Sequence, residues 1–263
     1  MHEELGGCIA VRPVIRVLGG DALGSAYVQA PGCQVTVGVF GPRQIPAGDV
    51  RTEAKINVKV KFDGSGAVLN GDDIVDSDKN QPSDTCRFLA DSVHQALCSV
   101  LILERQGILQ YDVVIVCHTE FDLLFGFDAV LTASGLACAD AGLQMTDLIG
   151  STTVLFSPSR GPDSDSMREE KNEPSTPEGI LRVVSTTNTK ELVLLSFTGS
   201  GWTSQSQNVD FRDSQCSRGT LCTSSKVYPE EINVEEAIKL CVLKNSEIRQ
   251  VLTKCFDGCA EEL

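Results

Sequence analysis

The chain has 263 residues, is 41% hydrophobic, and carries a formal net charge of −14 from 36 acidic and 22 basic side chains. That size buries an ordinary core, as one larger domain or two small ones, and so acidic a surface repels phosphate backbones, which argues against tight nucleic-acid binding by the chain alone. No apolar run reaches the ~20 residues of a membrane-spanning helix, and Met1-His2-Glu3-Glu4 is acidic where a secretory signal is basic, so a soluble protein with no membrane contact and no secretion signal is expected.

The first elements are strands. Residues 8–17 are extended and β-branched in character, and Gly19-Gly20-Asp21 interrupts them. A β-hairpin is predicted between Gly24 and Arg43: Cys33, Val35, Val37 and Val39 alternate with Gln34, Thr36, Gly38 and Phe40. Ala30-Pro31-Gly32-Cys33 makes its turn, with Pro31 presetting φ and Gly32 tolerating positive φ. The hairpin is expected to stop at Gly41-Pro42. Next, Ala54, Ile56, Val58, Val60 and Phe62 alternate with Lys55, Asn57, Lys59 and Lys61, the clearest period-two signal in the chain. The lysine face reads either as a stripe facing RNA or as the solvated face that keeps a strand from edge-to-edge association. Residues 63–83, rich in Gly, Asp, Asn and Ser, read as a loop.

A helix capped by Ser83 or Asp84 is predicted to run to about Arg105, with Leu89, Val93, Ala96, Leu97 and Val100 on one face. A buried strand over residues 113–117 follows, and then a helix over 128–140 that ends at Gly142 in a left-handed conformation. Ala133, Ala137 and Ala141 recur every four residues along that helix, so a neighbour can approach closely. A short strand covers 151–156. Residues 157–178, with four prolines and many charges, form a surface loop. Residues 181–185 and 192–197 make a hairpin around Thr187-Asn188-Thr189-Lys190, and residues 200–226 form a polar, mobile insertion. The last helix spans 233–259, with Asn233 and Glu236 as its capping box and Val234, Ile238, Cys241, Ile248, Leu252 and Cys255 on one stripe. Strands precede helices in both halves, which defines an α+β fold of two strands-then-helices halves packed together as a single domain over 1–263.

Several of these segments resemble the RNase PH-like proteins, in particular the ring subunits of the eukaryotic RNA exosome. The resemblance lies in Gly24-Ser25-Ala26 and Gly41-Pro42-Arg43, in residues 136–148 (Leu-Ala-Cys-Ala-Asp-Ala-Gly-Leu-Gln-Met-Thr-Asp-Leu), in Glu235 to Cys241, and in Asp163 followed by Arg168-Glu169-Glu170-Lys171. It implies the RNase PH fold, which is ribosomal protein S5 domain 2-like. It implies as partners the other RNase PH-like subunits of a six-membered ring, cap proteins of S1/KH type, and RNA passing through the assembled channel. It also implies rRNA processing and mRNA decay in nucleus, nucleolus and cytoplasm.

Active members of the family cleave RNA with inorganic phosphate, which needs small residues, a hydroxyl and an arginine around the anion. The family's Asp-Gly-Gly-Thr-Arg-Thr falls on Asp122-Leu123-Leu124-Phe125-Gly126-Phe127, and its Arg-x-x-Arg falls on Gln95 to Cys98. Neither keeps the chemistry. Asp163 reads as a surface residue. The expectation is therefore a non-catalytic subunit with no cofactor and no metal, with Arg43 and Arg51 as candidate RNA contacts. A phosphorolytic exoribonuclease and a stand-alone regulator remain the alternatives.

Other chemistry has less support. The eleven cysteines are odd in number and form no Cys-x-x-Cys pair, so buried thiols in a reducing compartment are expected rather than disulfides or a zinc site at Cys216/Cys222 or Cys255/Cys259. Gly19 to Gly24 lacks the spacing of a dinucleotide-binding turn, no phosphate-loop Gly-Lys-Ser/Thr is present, and Ser200 lacks a nucleophile elbow. His94 reads as a packed or flanking histidine, and His118 as a strand end without a paired nucleophile.

Overall fold

The computed structural model describes residues 12–30, 33–45, 52–63, 84–118, 123–156, 179–199, 226–227 and 234–260. The expected loops lie almost entirely outside these residues, as do Pro31-Gly32, Arg51, Asn233 and Asp163.

Two sheets form the frame. The first contains β1 (Arg12–Ile15), β2 (Ala22–Ala30), β3 (Cys33–Gln44), β4 (Lys55–Phe62) and β5 (Leu109–Cys117), in the order β1-β2-β3-β5-β4. All its neighbours are antiparallel except β4 and β5, which are parallel. A parallel pair needs a crossover, and helix α1 (Asp84–Val100) lies between them in the chain and packs on β4. The second sheet contains β6 (Ile149–Phe156), β7 (Gly179–Thr186), β8 (Leu192–Gly199) and the two-residue β9 (Lys226–Val227), in the order β9-β6-β7-β8. Lys226, the last residue of the expected insertion, thus pairs with Leu155.

The period-two signals describe real faces. Cys33, Val35, Val37 and Val39 are buried on the side of the first sheet that the helices cover, together with Tyr111, Val113, Ile115 and Cys117 of β5. β5 begins at Leu109, four residues before the apolar run that marks it, because Tyr111 is also a core residue at 6% exposure. The β2–β3 hairpin ends at Gly41-Pro42 as read, its last pair being Ala22 with Phe40, but β3 itself runs on beside β5. Pairing slips between Phe40 and Arg43 and then resumes as Arg43 opposite Gln110 and Gln44 opposite Leu109. Gly41 makes the slip possible: its φ is 135°, and a Cβ there would lie 2.9 Å from Gln110 O.

Helix α1 ends at Val100, short of the expected Arg105. The Val100 carbonyl accepts the Thr146 N–H at 2.8 Å, and the Ile102 N–H is donated to Gln144 O at 2.9 Å. These bonds draw the chain into a bridge with the segment after α2, and a 3-10 turn over Leu103–Gln106 follows. Helix α2 (Leu123–Asp140) starts five residues before the expected position. It lies between β2 and β3 of the first sheet and β6 of the second, so Phe127, Val130, Leu131, Ala133, Ser134, Leu136, Ala137 and Cys138 are all buried and no single apolar stripe marks the helix. Its end is as read: Gly142 has φ 70°, its N–H bonds Ala139 O at 3.0 Å, and Leu143 N–H bonds Cys138 O at 3.1 Å, the paired bonds of a Schellman ending.

Helix α3 (Val234–Ala260) packs on β6, β7 and β1. Ala237, Cys241, Val242, Ile248 and Leu252 form its buried stripe, with a polar residue, Asn245, at its centre. Asn245 is fully buried and satisfied: Oδ1 accepts from Thr152 Oγ1 at 2.7 Å, while Nδ2 donates to Ser185 Oγ at 2.9 Å and Val183 O at 3.3 Å. It pins the helix to the second sheet at one register.

Candidate functional site

Two of the segments quoted above meet in a packing joint. Gly24 in β2 lies against the last turn of α2, where a Cβ would fall 2.2 Å from Ala141 N and 2.6 Å from Ala137 O. Backbone meets backbone, and only glycine fits. The next residue, Ser25, donates its N–H to Asp140 Oδ2 at 2.9 Å, and its Oγ accepts the Leu18 N–H at 2.8 Å. Arg16 adds an ion pair to Asp140 Oδ1 at 3.3 Å. Gly24-Ser25 and Ala139-Asp140-Ala141-Gly142 are therefore one joint, and its polar groups bond each other.

Asp147 has a similar role at the second sheet. Oδ1 accepts the Leu148 N–H at 2.8 Å and the Thr187 hydroxyl at 3.2 Å, while Oδ2 accepts the N–H groups of Asn188 at 2.5 Å and Thr189 at 3.0 Å. One carboxylate thus holds the β7–β8 turn, in which Lys190 has φ 64°. Asp147→Ala leaves those backbone donors without their acceptor and is expected to cost about 1–3 kcal/mol, read as a lower urea midpoint with an unchanged m-value.

The segment aligned with the phosphate motif is the start of α2. Leu123, Leu124 and Phe125 form its first turn, and Gly126 and Phe127 are buried. Phe127 stacks on Phe88 of α1, with centroids 5.8 Å apart and planes 28° apart. Behind these rings lies Arg182 of β7, 3% exposed, its guanidinium 5.3 Å from the Phe127 centroid and 5.6 Å from that of Phe88. Among the described residues its Nε has no hydrogen-bond partner. The next residue, Asp128, accepts hydrogen bonds from Ser151 Oγ, from Thr153 N at 2.9 Å and from Thr153 Oγ1 at 3.1 Å. Burial pushes the Asp128 carboxyl up to about 6, against the pull of those bonds and of Arg182. Burial likewise lowers the Arg182 pKa, with Asp128 opposing it. The sequence reading passed over Arg182, although a charge inside the apolar run from Leu181 to Val184 is the signal that marks it.

On α1, Gln95 is exposed and Cys98 half-buried, with Cys98 Sγ 3.6 Å from His94 Nε2. His94 is an exposed, flanking histidine. Burial raises the Cys98 thiol pKa, aided by Glu53, so the pair holds no activated thiolate. Among the described residues no three metal-ligating side chains cluster.

Arg43 is exposed at the end of β3, yet its Nη1 lies 3.0 Å from Asp112 Oδ2. Asp112 is buried and also accepts from Asn57 Nδ2 and Gln110 Nε2, both at 2.9 Å. Burial raises its pKa, but the bonds from Asn57 and Gln110 and the charges of Arg43 and Lys59 outweigh this and leave it lowered. Arg43 thus serves Asp112 while keeping most of its side chain in solvent.

His118 does have a hydroxyl partner, contrary to the sequence reading. Its Nε2 is 2.7 Å from Thr36 Oγ1, and its Nδ1 is 3.4 Å from Asp63 Oδ2. Sequence separation hid the contact, for 82 residues lie between Thr36 and His118. The adjacent amides of His118 and Asp63 are bonded to Gln34 O and Cys117 O, so they offer no donors to a developing oxyanion. The trio ties together the ends of β3, β4 and β5.

With this geometry in place, the chain belongs to the RNase PH family: the model described as "3' exoribonuclease family, domain 1" matches residues 10–144, from β1 to the end of α2. No curated protein matches the chain in sequence. Many solved structures share its fold. Rice (Oryza sativa) Rrp46 is 14% identical with a TM-score of 0.54, covering 75% of this chain and 84% of its own. An archaeal exosome core is 16% identical with a TM-score of 0.53, covering 93% and 87%. The Archaeoglobus fulgidus exosome with RNA bound to the active site is 19% identical with a TM-score of 0.51, covering 75% and 80%. The second sheet and α3, beyond residue 144, are thus tied to the family by fold.

Proposed function

We propose that this protein is a non-catalytic ring subunit of the RNA exosome, with the mRNA-transport-regulator subunit as the particular member its Gly24-Ser25-Ala26-Tyr27 and Gly41-Pro42-Arg43-Gln44 segments resemble most. The observation that carries the non-catalytic reading is Phe127. At the last position of the aligned phosphate motif the chain places a fully buried aromatic stacked on Phe88, where phosphate binding calls for a hydroxyl. Ring membership is supported by the family and by the exosome structures that share the fold.

On this reading the subunit pairs with other RNase PH-like proteins in a six-membered ring, carries cap proteins of S1/KH type, and helps guide RNA during rRNA processing and mRNA decay in nucleus and cytoplasm. An acidic chain suits a structural place in such a ring better than an RNA-binding one, with basic neighbours supplying the field. Arg43 is the described candidate for an RNA contact.

Incubation of the purified chain with single-stranded RNA and inorganic phosphate tests the catalytic half. No phosphate-dependent release of nucleoside diphosphates is expected, and its appearance would overturn the reading. Co-purification from native extract tests the other half: recovery with RNase PH-like and cap proteins is expected, and isolation as a lone monomer refutes ring membership.

A further inference from the structure

His94 and Cys98 stand one turn apart on α1, where side chains four residues apart are neighbours. The Cys98 sulfur is 3.6 Å from His94 Nε2 and 3.9 Å from Nδ1. His94 is exposed and Cys98 half-buried, so the pair is open to solvent from the middle of a regular helix. A third group of the same chemistry comes from another element. Burial, and after it the charge of Glu53, raises the Cys98 pKa, which places the Glu53 carboxylate within electrostatic reach of the thiol. Glu53 is exposed in the stretch that leads into β4, and the Ala54 N–H beside it is donated to Leu103 O at 3.2 Å, which holds that stretch against the turn after α1.

Thiolate, imidazole and carboxylate are the protein groups that bind zinc. An ion about 2.3 Å from sulfur and about 2.1 Å from nitrogen, at a tetrahedral angle, sets the two atoms about 3.6 Å apart, and Cys98 and His94 stand at that separation. As they are placed, the three side chains do not yet converge. The sulfur is nearly equidistant from both ring nitrogens, so it lies beside the ring and not along a lone pair. The ring has to turn and Glu53 has to swing in, and the exposure of both side chains leaves room for that. From this we infer that His94, Cys98 and Glu53 form a site for one divalent ion of the zinc class, with water in the fourth position. The ion takes Cys98 as thiolate and His94 as neutral imidazole, and the thiol proton passes to solvent. Magnesium and calcium, which seek oxygen ligands, are poorly served by this set. A bound ion would tie the lead-in of β4 to α1, the helix that packs on that strand. The inference rests on α1 and residues 52–54 and does not depend on exosome membership.

The test is titration of the full chain, kept reduced with a phosphine, with cobalt(II) as the probe for zinc, followed by the thiolate-to-cobalt charge-transfer absorption. A saturable band is expected that zinc displaces and magnesium does not. Cys98→Ser should remove the tight phase. His94→Ala and Glu53→Gln should each weaken it by about tenfold or more, the loss that follows even when a group one shell further from a metal is removed. The neighbouring Gln95→Ala should titrate like the wild type. Zinc should also raise the Tm of the wild type and not that of Cys98→Ser, because only the folded protein presents the three groups together. Circular dichroism confirms that each variant is folded. Absence of a cobalt band overturns the inference. So does an unchanged titration curve in Cys98→Ser, which would put the ion on other thiols, and so does wild-type affinity in either His94→Ala or Glu53→Gln.

Discussion

Replacing Gly24 with alanine is expected to cost about 3 kcal/mol or more, at the upper end of what overpacking does. The new methyl group would sit 2.2 Å from Ala141 N and 2.6 Å from both Ala137 O and Ala141 Cα. Every one of these is a backbone atom, so no side chain can rotate away, and β2 and α2 must separate. Separation also strains the Ser25 N–H bond to Asp140 and the Arg16 ion pair beside it. A thermal melt should show Tm lowered by about 10 °C for a chain of this length. Gly19→Ala is the control: nothing lies within 4 Å of a Cβ there, and the change should stay within about 0.5 kcal/mol. Equal melting of the two variants would show that the joint yields more easily than its geometry implies.

The other large effect is expected at Asp128 and the charge of Arg182 near it. Asp128→Ala leaves the Ser151 hydroxyl and the Thr153 N–H and hydroxyl without their acceptor and removes the acidic charge that acts on Arg182, a loss of about 1–3 kcal/mol. Adding Arg182→Met to Asp128→Leu should recover part of that, because the stacked Phe88 and Phe127 rings then face an apolar chain. Asp128 also sets a pH dependence. Its folded value of about 6 lies above the ordinary 3.8, so between these pH values the folded protein holds a proton that the unfolded chain has released. Stability from this group is therefore fully present below about 3.8 and is lost as pH rises through about 6, on the order of 2–3 kcal/mol in all. Urea midpoints of the wild type relative to Asp128→Asn should fall across that window and level off above it. A constant difference from pH 4 to pH 7.5 would contradict a buried, titrating Asp128.

What the sequence disclosed follows from how many neighbours each element has. β3 and β4 each have one covered face, so alternation locates them, and α1 and α3 show a stripe because one side meets water. Helix α2 is buried nearly all round, so its start was misplaced by five residues while its glycine ending was legible from local chemistry. The joint between Gly24 and Asp140 was present in the quoted segments, but a link across 115 residues of chain has no local signature. The same holds for Asn245, a polar residue on an apolar stripe whose partners are 60 residues or more away. At the aligned phosphate motif, the missing hydroxyls and arginine were plain in the sequence. That Phe127 stacks there with Phe88 and a buried Arg182 emerges only when α1, α2 and β7 are brought together.

The placement of α2 between the two sheets bears on how the molecule opens. Ile149 of β6 lies so close to the helix that a Cβ on Gly135 would fall 2.7 Å from its Cγ1, while on the first-sheet side α2 touches β2 at Gly24. Lifting either sheet away uncovers the same helix and opens the larger core cluster, while a smaller one stays closed between the second sheet and α3. Partial opening along α2 then exposes most of the larger cluster at once, and the amides of α2 should exchange with solvent only through the global transition. The fold joins its halves by sharing one helix, which makes the pair a single cooperative unit.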